Sequence, residues 1–420
     1  MIRLIIRTAA VLCLPLTAMA GPTTRPRHLP GQIIVDPANP AWLVRYSADG
    51  KHKPFFMCGP GDPEGFLHRG KLNADGTRDG DQMQLIDKLK LTGANCIYLQ
   101  AVRSHGGDGD KTHNPFIDHD PARGLSAKVL DQWETWFDSM DKAGIVVFLF
   151  IYDDSALVWK TGDVVGPEEK QFLDGLVNRF KHHRNLIWCV AEEYRERLSP
   201  KRASGIAAAI RAADEFAHPI AIHQNHGLKF DFPDDPSIDQ FAIQYNVKTI
   251  DQLHAGAVKA FADAKGRYNV NVTEVAGHGR MSDLRQANWA IAMGGAYVMV
   301  FEMDIASTKS SDLEDCGRLV QFFESTAINR MAPHDELAAG GTQYVLADPG
   351  RSYVAYSAKH GGKMGLKGLP AGSYDLTWFD CAAGNRVERR GVSVAAGEQV
   401  WEVPAGLGAE VAVRTRMAVK

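Results

Sequence analysis

Three carboxylates stand directly behind short apolar runs in this chain. Glu192 and Glu193 follow Leu186–Ala191, and Glu274 follows Val270–Thr273. Two carboxyl groups that face each other across a cleft can do acid–base work on a bond held between them. One protonates the departing oxygen while the other attacks carbon or activates water, which is the chemistry of glycosidic hydrolysis. A single strand-end Glu is as readily half of a structural ion pair, so the argument needs two, on strands that bring them together. Successive residues of a strand face opposite ways, so Glu192 and Glu193 cannot both point inward while the strand stays regular. Glu193 is assigned as general acid/base, Glu274 as its catalytic partner and Glu192 as a hydrogen-bonding neighbour. A bend at the strand end would reverse the roles of Glu192 and Glu193.

The elements that must position these groups are eight apolar runs: Pro54–Cys58, Asn95–Gln100, Ile145–Tyr152, Leu186–Ala191, Pro219–His223, Phe241–Tyr245, Val270–Thr273 and Ala296–Phe301. Their apolar character is continuous rather than alternating, as strands buried on both faces require. Amphipathic segments lie between most of them, over Asp81–Thr92, Leu130–Ala143, Glu168–His182, Pro200–Phe216, Asp251–Ala264 and Leu284–Gly294, with a last helix over Leu313–Asn329. Strands alternating with helices make parallel βαβ units, and eight of them predict an α/β fold, a (β/α)8 TIM barrel over residues 21–330. An open doubly wound sheet is the rival, but no Gly-x-Gly-x-x-Gly follows an early strand. In such a barrel reactive side chains belong at the C-terminal strand ends, and those of the fourth and seventh strands face each other across the mouth.

The remaining strand ends supply the expected cleft. Asp62 and Glu64 follow the first strand, Arg103, Ser104 and His105 the second, and Asp153 and Asp154 the third. His223 and Asn225 follow the fifth, Gln244 and Tyr245 the sixth, and Glu302 the eighth. A rim of carboxylates, amides and rings suits sugar hydroxyls. Trp159, beyond the third strand, is a candidate stacking platform, whereas Trp133 and Trp136 read as core. Asn73–Asp81 alternates oxygen side chains as calcium loops do, but Arg78 intrudes and Gln84 stands where such a loop wants Glu. A Gly/Asp turn before a helix is the simpler reading. His182-His183 reads as a favourable helix end, and no metal ligand set or cofactor motif is assigned.

Met331–Gly341 reads as a linker. After it, short strands separated by Gly- and Pro-bearing turns (Thr342–Ala347, Tyr353–Ser357, Lys363–Leu366, Ser373–Phe379, Val387–Val394 and Gln399–Val403) predict a small all-β sandwich over residues 342–420. With 47 basic and 50 acidic residues in 420, the chain makes no electrostatic case for nucleic acid. Arg3 and Arg7, a short apolar stretch and Ala18-Met19-Ala20 have the pattern of a secretory signal peptide over residues 1–20, cleaved after Ala20. The expected product is secreted or periplasmic and has no membrane contact once cleaved. Five cysteines then remain, an odd number in largely apolar surroundings, and no disulfide framework is expected.

The run Asn185–Tyr194 resembles the strand-four motif of a large clan of barrel glycosidases, in which an apolar strand ends in Asn-Glu and the Glu is the acid/base. Glu274 is similar to that clan's strand-seven nucleophile. More narrowly, Asn39-Pro40-Ala41-Trp42-Leu43 and Pro54-Phe55-Phe56 resemble the opening of the apiosidase-like glycosidases. Tyr344–Ala347, Tyr353–Tyr356 and Trp378-Phe379-Asp380 are similar to the small domain, labelled collagen-binding, that often follows such barrels. The resemblance implies a hydrolase of O-glycosyl bonds acting on a polysaccharide or oligosaccharide. It departs from the clan at Glu192, where Asn is usual; Asn donates to a sugar hydroxyl and ionised Glu only accepts. That departure favours the second reading, a non-catalytic carbohydrate-binding or adhesion protein on a degenerate barrel.

Overall fold

The computed structural model describes residues 26–60, 65–275, 283–300 and 304–418. The expected signal peptide and three expected cleft residues, Asp62, Glu64 and Glu302, lie outside the described residues.

The long apolar runs pair in parallel in one eight-stranded sheet. Its strands are β1 (Cys58–Pro60), β2 (Cys96–Val102), β3 (Val146–Tyr152), β4 (Leu186–Ala191), β5 (Ile220–Gln224), β6 (Gln240–Gln244), β7 (Asn269–Glu274) and β8 (Tyr297–Val300). Neighbours follow chain order from β2 to β8, and β1 lies beside β8. Asn95 closes the remaining seam between β1 and β2. Its backbone N–H donates to the Cys58 carbonyl at 3.0 Å, its side-chain oxygen accepts from the Cys58 N–H at 2.9 Å, and its amide donates to the Phe56 carbonyl at 2.8 Å. β2 through β7 are buried along their whole length, which is why these segments carry no polar alternation.

The first barrel strand begins later than Pro54–Cys58. Lys53–Pro54 pairs instead with Leu43–Arg45, which pairs with Ile33–Val35 in a small antiparallel sheet. Pro54 has no N–H for a central ladder, and Phe55, Phe56 and Met57 cross into the core before pairing starts.

The surrounding helices are α1 (Gln82–Thr92), α2 (Ala127–Ala143), α3 (Pro167–Phe180), α4 (Pro200–Ala213), α5 (Ile250–Ala264), α6 (Leu284–Met293) and α7 (Ser310–Glu324). Three of them, α2, α4 and α5, start on side-chain caps. Ser199 accepts from the Arg202 N–H ahead of Pro200, and Thr249 and Gln252 form a reciprocal capping box. The Asn73–Asp81 turn is a hairpin. Asn73 donates to Thr77 and Asp79, Asp75 accepts from Thr77, and the Asp81 carboxylate goes to Arg69.

The C-terminal region is antiparallel and two-layered. One sheet holds β9 (Ala332–Pro333), β11 (Tyr344–Asp348), β12 (Ser352–Ser357), β17 (Val411–Met417), β14 (Gly372–Asp380) and β15 (Arg386–Val394), in that order. The other holds β10 (Ala338–Gly340), β13 (Lys363–Leu369) and β16 (Gly397–Glu402). Two features differ from expectation. The presumed linker supplies an edge strand to each sheet, and β17, unmarked in the sequence reading, sits between β12 and β14. Tyr344, Leu346, Val354, Tyr356, Phe379 and Ala412 belong to the barrel's hydrophobic cluster rather than to the sandwich's own. Tyr356 stacks on Trp289 of α6 at 5.1 Å and 8°, and Tyr344 on His254 of α5 at 3.6 Å and 17°.

Candidate active site

Two irregularities shape the mouth of the barrel. The first follows β4. Glu192 stays on the ladder, its N–H donating to the Tyr152 carbonyl at 3.0 Å. Glu193 then adopts φ 37° and ψ 47°, a left-handed conformation uncommon outside glycine. Its N–H donates to Nδ1 of His223 at 3.1 Å. Because the chain turns between them, both glutamates stay within the barrel, Glu192 lower and Glu193 over the mouth. The second irregularity is a register shift between β6 and β7, which sets Gln244 opposite Glu274 and skips Thr273. Such bulges re-aim side chains at barrel rims.

The shift lets one amide serve both acids. Nε2 of Gln244 donates to Oε1 of Glu193 and to Oε1 of Glu274, the latter at 2.6 Å. Asn225 donates to the second Glu193 oxygen at 3.4 Å. Burial, the Glu274 charge and nearby Glu196 push the Glu193 carboxyl up to about 7. His223 is fully buried, which lowers its imidazole to about 3 and keeps it neutral. Since Nδ1 accepts from the Glu193 N–H, the ring proton resides on Nε2, 3.9 Å from Oε2 of Glu274. Tyr98 and Phe150 pack beside this ring, with centroids at 6.4 and 5.9 Å from it.

Glu192 occupies a different compartment. Nε2 of Gln100 donates to Glu192 Oε2 at 2.6 Å and to Asp153 Oδ1 at 3.3 Å. Asp153 is also held by Arg103 Nε at 3.0 Å and by the Asp108 N–H at 3.0 Å. Arg103 pairs with Asp153, and burial and Asp153 push the Glu192 carboxyl well above the usual range, toward its un-ionised form. The departure from Asn at this position therefore loses less than it first implies, because a neutral carboxylic acid has an O–H to donate.

The other expected cleft residues are spread more widely. Asp154 lies at the mouth; burial and the charges of Asp153, Asp108 and Glu196 push it up to about 6. Arg103 is 6% exposed and braces Asp153 rather than lining open space. His105 bonds to Ser104 at 2.6 Å and lies edge-on to Phe116, away from the paired glutamates. Trp159 packs on Phe116 and Phe172 beside a separate groove of about 650 Å³. Tyr245 turns outward onto Gly256 of α5, where a Cβ would come within 2.2 Å of its ring. Strand alternation accounts for it: Gln240, Ala242 and Gln244 share the inward face of β6, so the next residue faces out. Gln100 and Glu196 were not singled out in the sequence. Gln100 carried a signal, as the polar residue inside the otherwise apolar run Cys96–Val102.

Among the described residues two groups bring three possible cation ligands within 4.8 Å of one another: Asp154, Glu193 and Glu196 at the mouth, and Glu134, His182 and His183 elsewhere. In the first, the Ser155 hydroxyl donates to Glu196 at 2.5 Å.

The family model for the apiosidase-like catalytic domain matches residues 45–301, which include all eight barrel strands and these groups. The chain belongs to the apiosidase-like family. No curated protein matches its sequence. Among solved structures it is similar to a glycoside hydrolase at TM-score 0.67 and 14% identity, over 93% of this chain and 98% of that one. It is also similar to a glycoside hydrolase family 5 protein from Bacteroides vulgatus at TM-score 0.67 and 14% identity, over 92% and 94%. At such identities the likeness speaks for the fold, and it spans barrel and sandwich together. For the apiosidase-like chain, the carboxylate geometry has to carry the chemistry.

Proposed function

We propose that this chain is an exported glycoside hydrolase that cleaves O-glycosyl bonds of a polysaccharide or oligosaccharide with retention of anomeric configuration. Glu193 gives its proton to the departing oxygen. Glu274 attacks the anomeric carbon, breaking the C–O bond and forming a glycosyl-enzyme. Glu193, now ionised, takes a proton from water, whose oxygen displaces Glu274 and releases the sugar. The observation that carries this reading is the shared Gln244 amide. Two oxygens bound to one nitrogen lie no further apart than about 6 Å. So short a gap between their nearest oxygens favours the closer carboxyl spacing of retaining enzymes, about 5–5.5 Å, over the roughly 6.5–9.5 Å of inverting ones. The raised Glu193 supports the acid role, since an acid must hold its proton near neutral pH to donate it.

Neutral Glu192 offers a donor to a sugar hydroxyl, in the place where the clan usually has an amide. Export rests on the leader pattern, with mature protein beginning at Gly21, and places the enzyme in the periplasm or outside the cell. The sandwich, packed against the barrel, serves as its structural partner.

Release of reducing ends from a panel of plant and algal glycans, with product stereochemistry followed by NMR, tests the activity. Retention is expected. Sugar binding without turnover on every glycan would replace the hydrolase with a binding protein, and mature protein beginning at Met1 would remove export.

A further inference from the structure

The turn between α3 and β4 lies at the N-terminal face of the barrel, opposite the mouth and roughly 20 Å from Glu193 along β4. Two consecutive histidines of this turn, His182 and His183, aim the same ring nitrogen at one carboxylate of α2. Nε2 of His182 lies 2.8 Å and Nε2 of His183 3.3 Å from Oε1 of Glu134. His183 is 3% exposed, wedged against Phe137 and Phe180, and its Nε2 is a buried atom with no hydrogen-bond partner. A buried ring nitrogen aimed at a carboxylate but outside bonding geometry is costly for an ordinary ion pair. The other carboxylate oxygen, Oε2, faces Arg179 Nε at 3.5 Å. That leaves Oε1 alone to serve the histidines.

We propose that Glu134, His182 and His183 form a structural zinc-type site that ties α2 to the α3–β4 turn. Two imidazole nitrogens and one carboxylate oxygen are a ligand set that Zn²⁺ takes. In a tetrahedral site with bonds of about 2.0–2.1 Å, ligand atoms lie roughly 3.3 Å apart. The three atoms here all fall within 4.8 Å of one another, and two of the separations are already 2.8 and 3.3 Å. Small ring rotations suffice to centre an ion. Water completes the fourth position, since the His182 side chain is 54% exposed. The site is remote from the carboxylate pair, so it acts on stability and not on the hydrolytic step, and it stands whether or not the hydrolase reading does.

Full-length protein stripped with a chelator and titrated with ZnCl₂ by calorimetry tests this. One equivalent should bind, raise the melting temperature, and be reversed by the chelator. Co²⁺ in its place should give the visible absorption of a tetrahedral ion. His182→Ala, at an exposed position, and Glu134→Gln, at a half-buried one, should each weaken binding at least about tenfold and abolish the thermal shift, while the apo-proteins keep wild-type circular dichroism. Absence of a stoichiometric Zn²⁺ isotherm, or an isotherm unchanged in both variants, would overturn the assignment.

Discussion

Glu193 and Glu274 accept hydrogen bonds from the same atom, Nε2 of Gln244. One neutral donor between two acids makes their ionisation a joint property. With Glu274 charged, Glu193 gains from keeping its proton; when Glu274 becomes esterified, that repulsion ends and Glu193 is free to act as base. The relation brings the proposed acid and the proposed nucleophile into a single small unit.

Loss of either member should stop turnover by different routes. Glu274→Ala and Glu193→Ala are each expected to lower kcat by about 10²–10⁴ or more, with the melting temperature retained. Azide should then separate their roles. It attacks from the vacated nucleophile side in Glu274→Ala and gives an inverted glycosyl azide, whereas in Glu193→Ala it intercepts the glycosyl-enzyme and gives a retained one. Wild-type rates in either variant would remove that residue from the mechanism.

The pH dependence follows from Glu193. Its carboxyl stands at about 7 in the folded chain against 4.5 for an ordinary Glu, so the acid form persists to neutrality. The alkaline limb of kcat/KM should bend near pH 7 and vanish in Glu193→Gln. Stability carries the opposite imprint. A group whose folded value is raised contributes fully below its unfolded value and loses that contribution as pH rises through the folded one. Glu193→Gln should therefore be more stable than wild type at pH 8 by about 1–2 kcal/mol, and no more stable at pH 4. Calorimetric scans at both pH values decide it.

Neutral Glu192 makes an unusual prediction for a glutamate at a sugar site. Glu192→Gln keeps an uncharged donor of similar shape and should retain activity within about tenfold. In the infrared, the carbonyl band of an un-ionised carboxyl at pH 7 should diminish in this variant. Asp153→Asn instead leaves Arg103 as a buried unpaired cation and should cost about 3–5 kcal/mol. If Glu192→Gln is as damaging as Glu193→Ala, then Glu192 works as a charge and the assignment between them changes.

Removing the shared amide tests the coupling itself. Gln244→Leu leaves both carboxylates without their common donor and should lower kcat by about 10²-fold while KM changes little. The alkaline limb should move upward as ionisation of Glu193 becomes harder. An unchanged profile would mean that Gln244 only packs.

The barrel was legible in the sequence because strands buried on both faces must be apolar throughout, and β2 through β7 are. The acids could be located because a barrel's chemistry stands at strand ends. Alternation along β6 already sets Tyr245 opposite in direction to Gln244, but the register shift at Thr273 that brings Gln244 beside Glu274 leaves no residue signature. Whether Glu192 and Glu193 both point inward was equally hidden, because the left-handed turn at Glu193 occurs without a glycine to announce it. β17 escaped notice because Arg414 and Arg416 interrupt its apolar alternation; both line a groove against the end of α7, where Arg414 donates to the Ser325 carbonyl at 2.5 Å.

The stacked rings of Trp289 and Tyr356 have a consequence for the chain's modularity. Side chains C-terminal to residue 340 complete a core that begins at Ile33, so neither portion is a finished object alone. A barrel cut off after Arg330 would present Trp289 and Phe322 to water, a sticky patch in place of a surface. The tail is thus a lid to the main core as much as a unit of its own. Recombining it with a foreign catalytic barrel would require transplanting the α6 and α7 faces along with it.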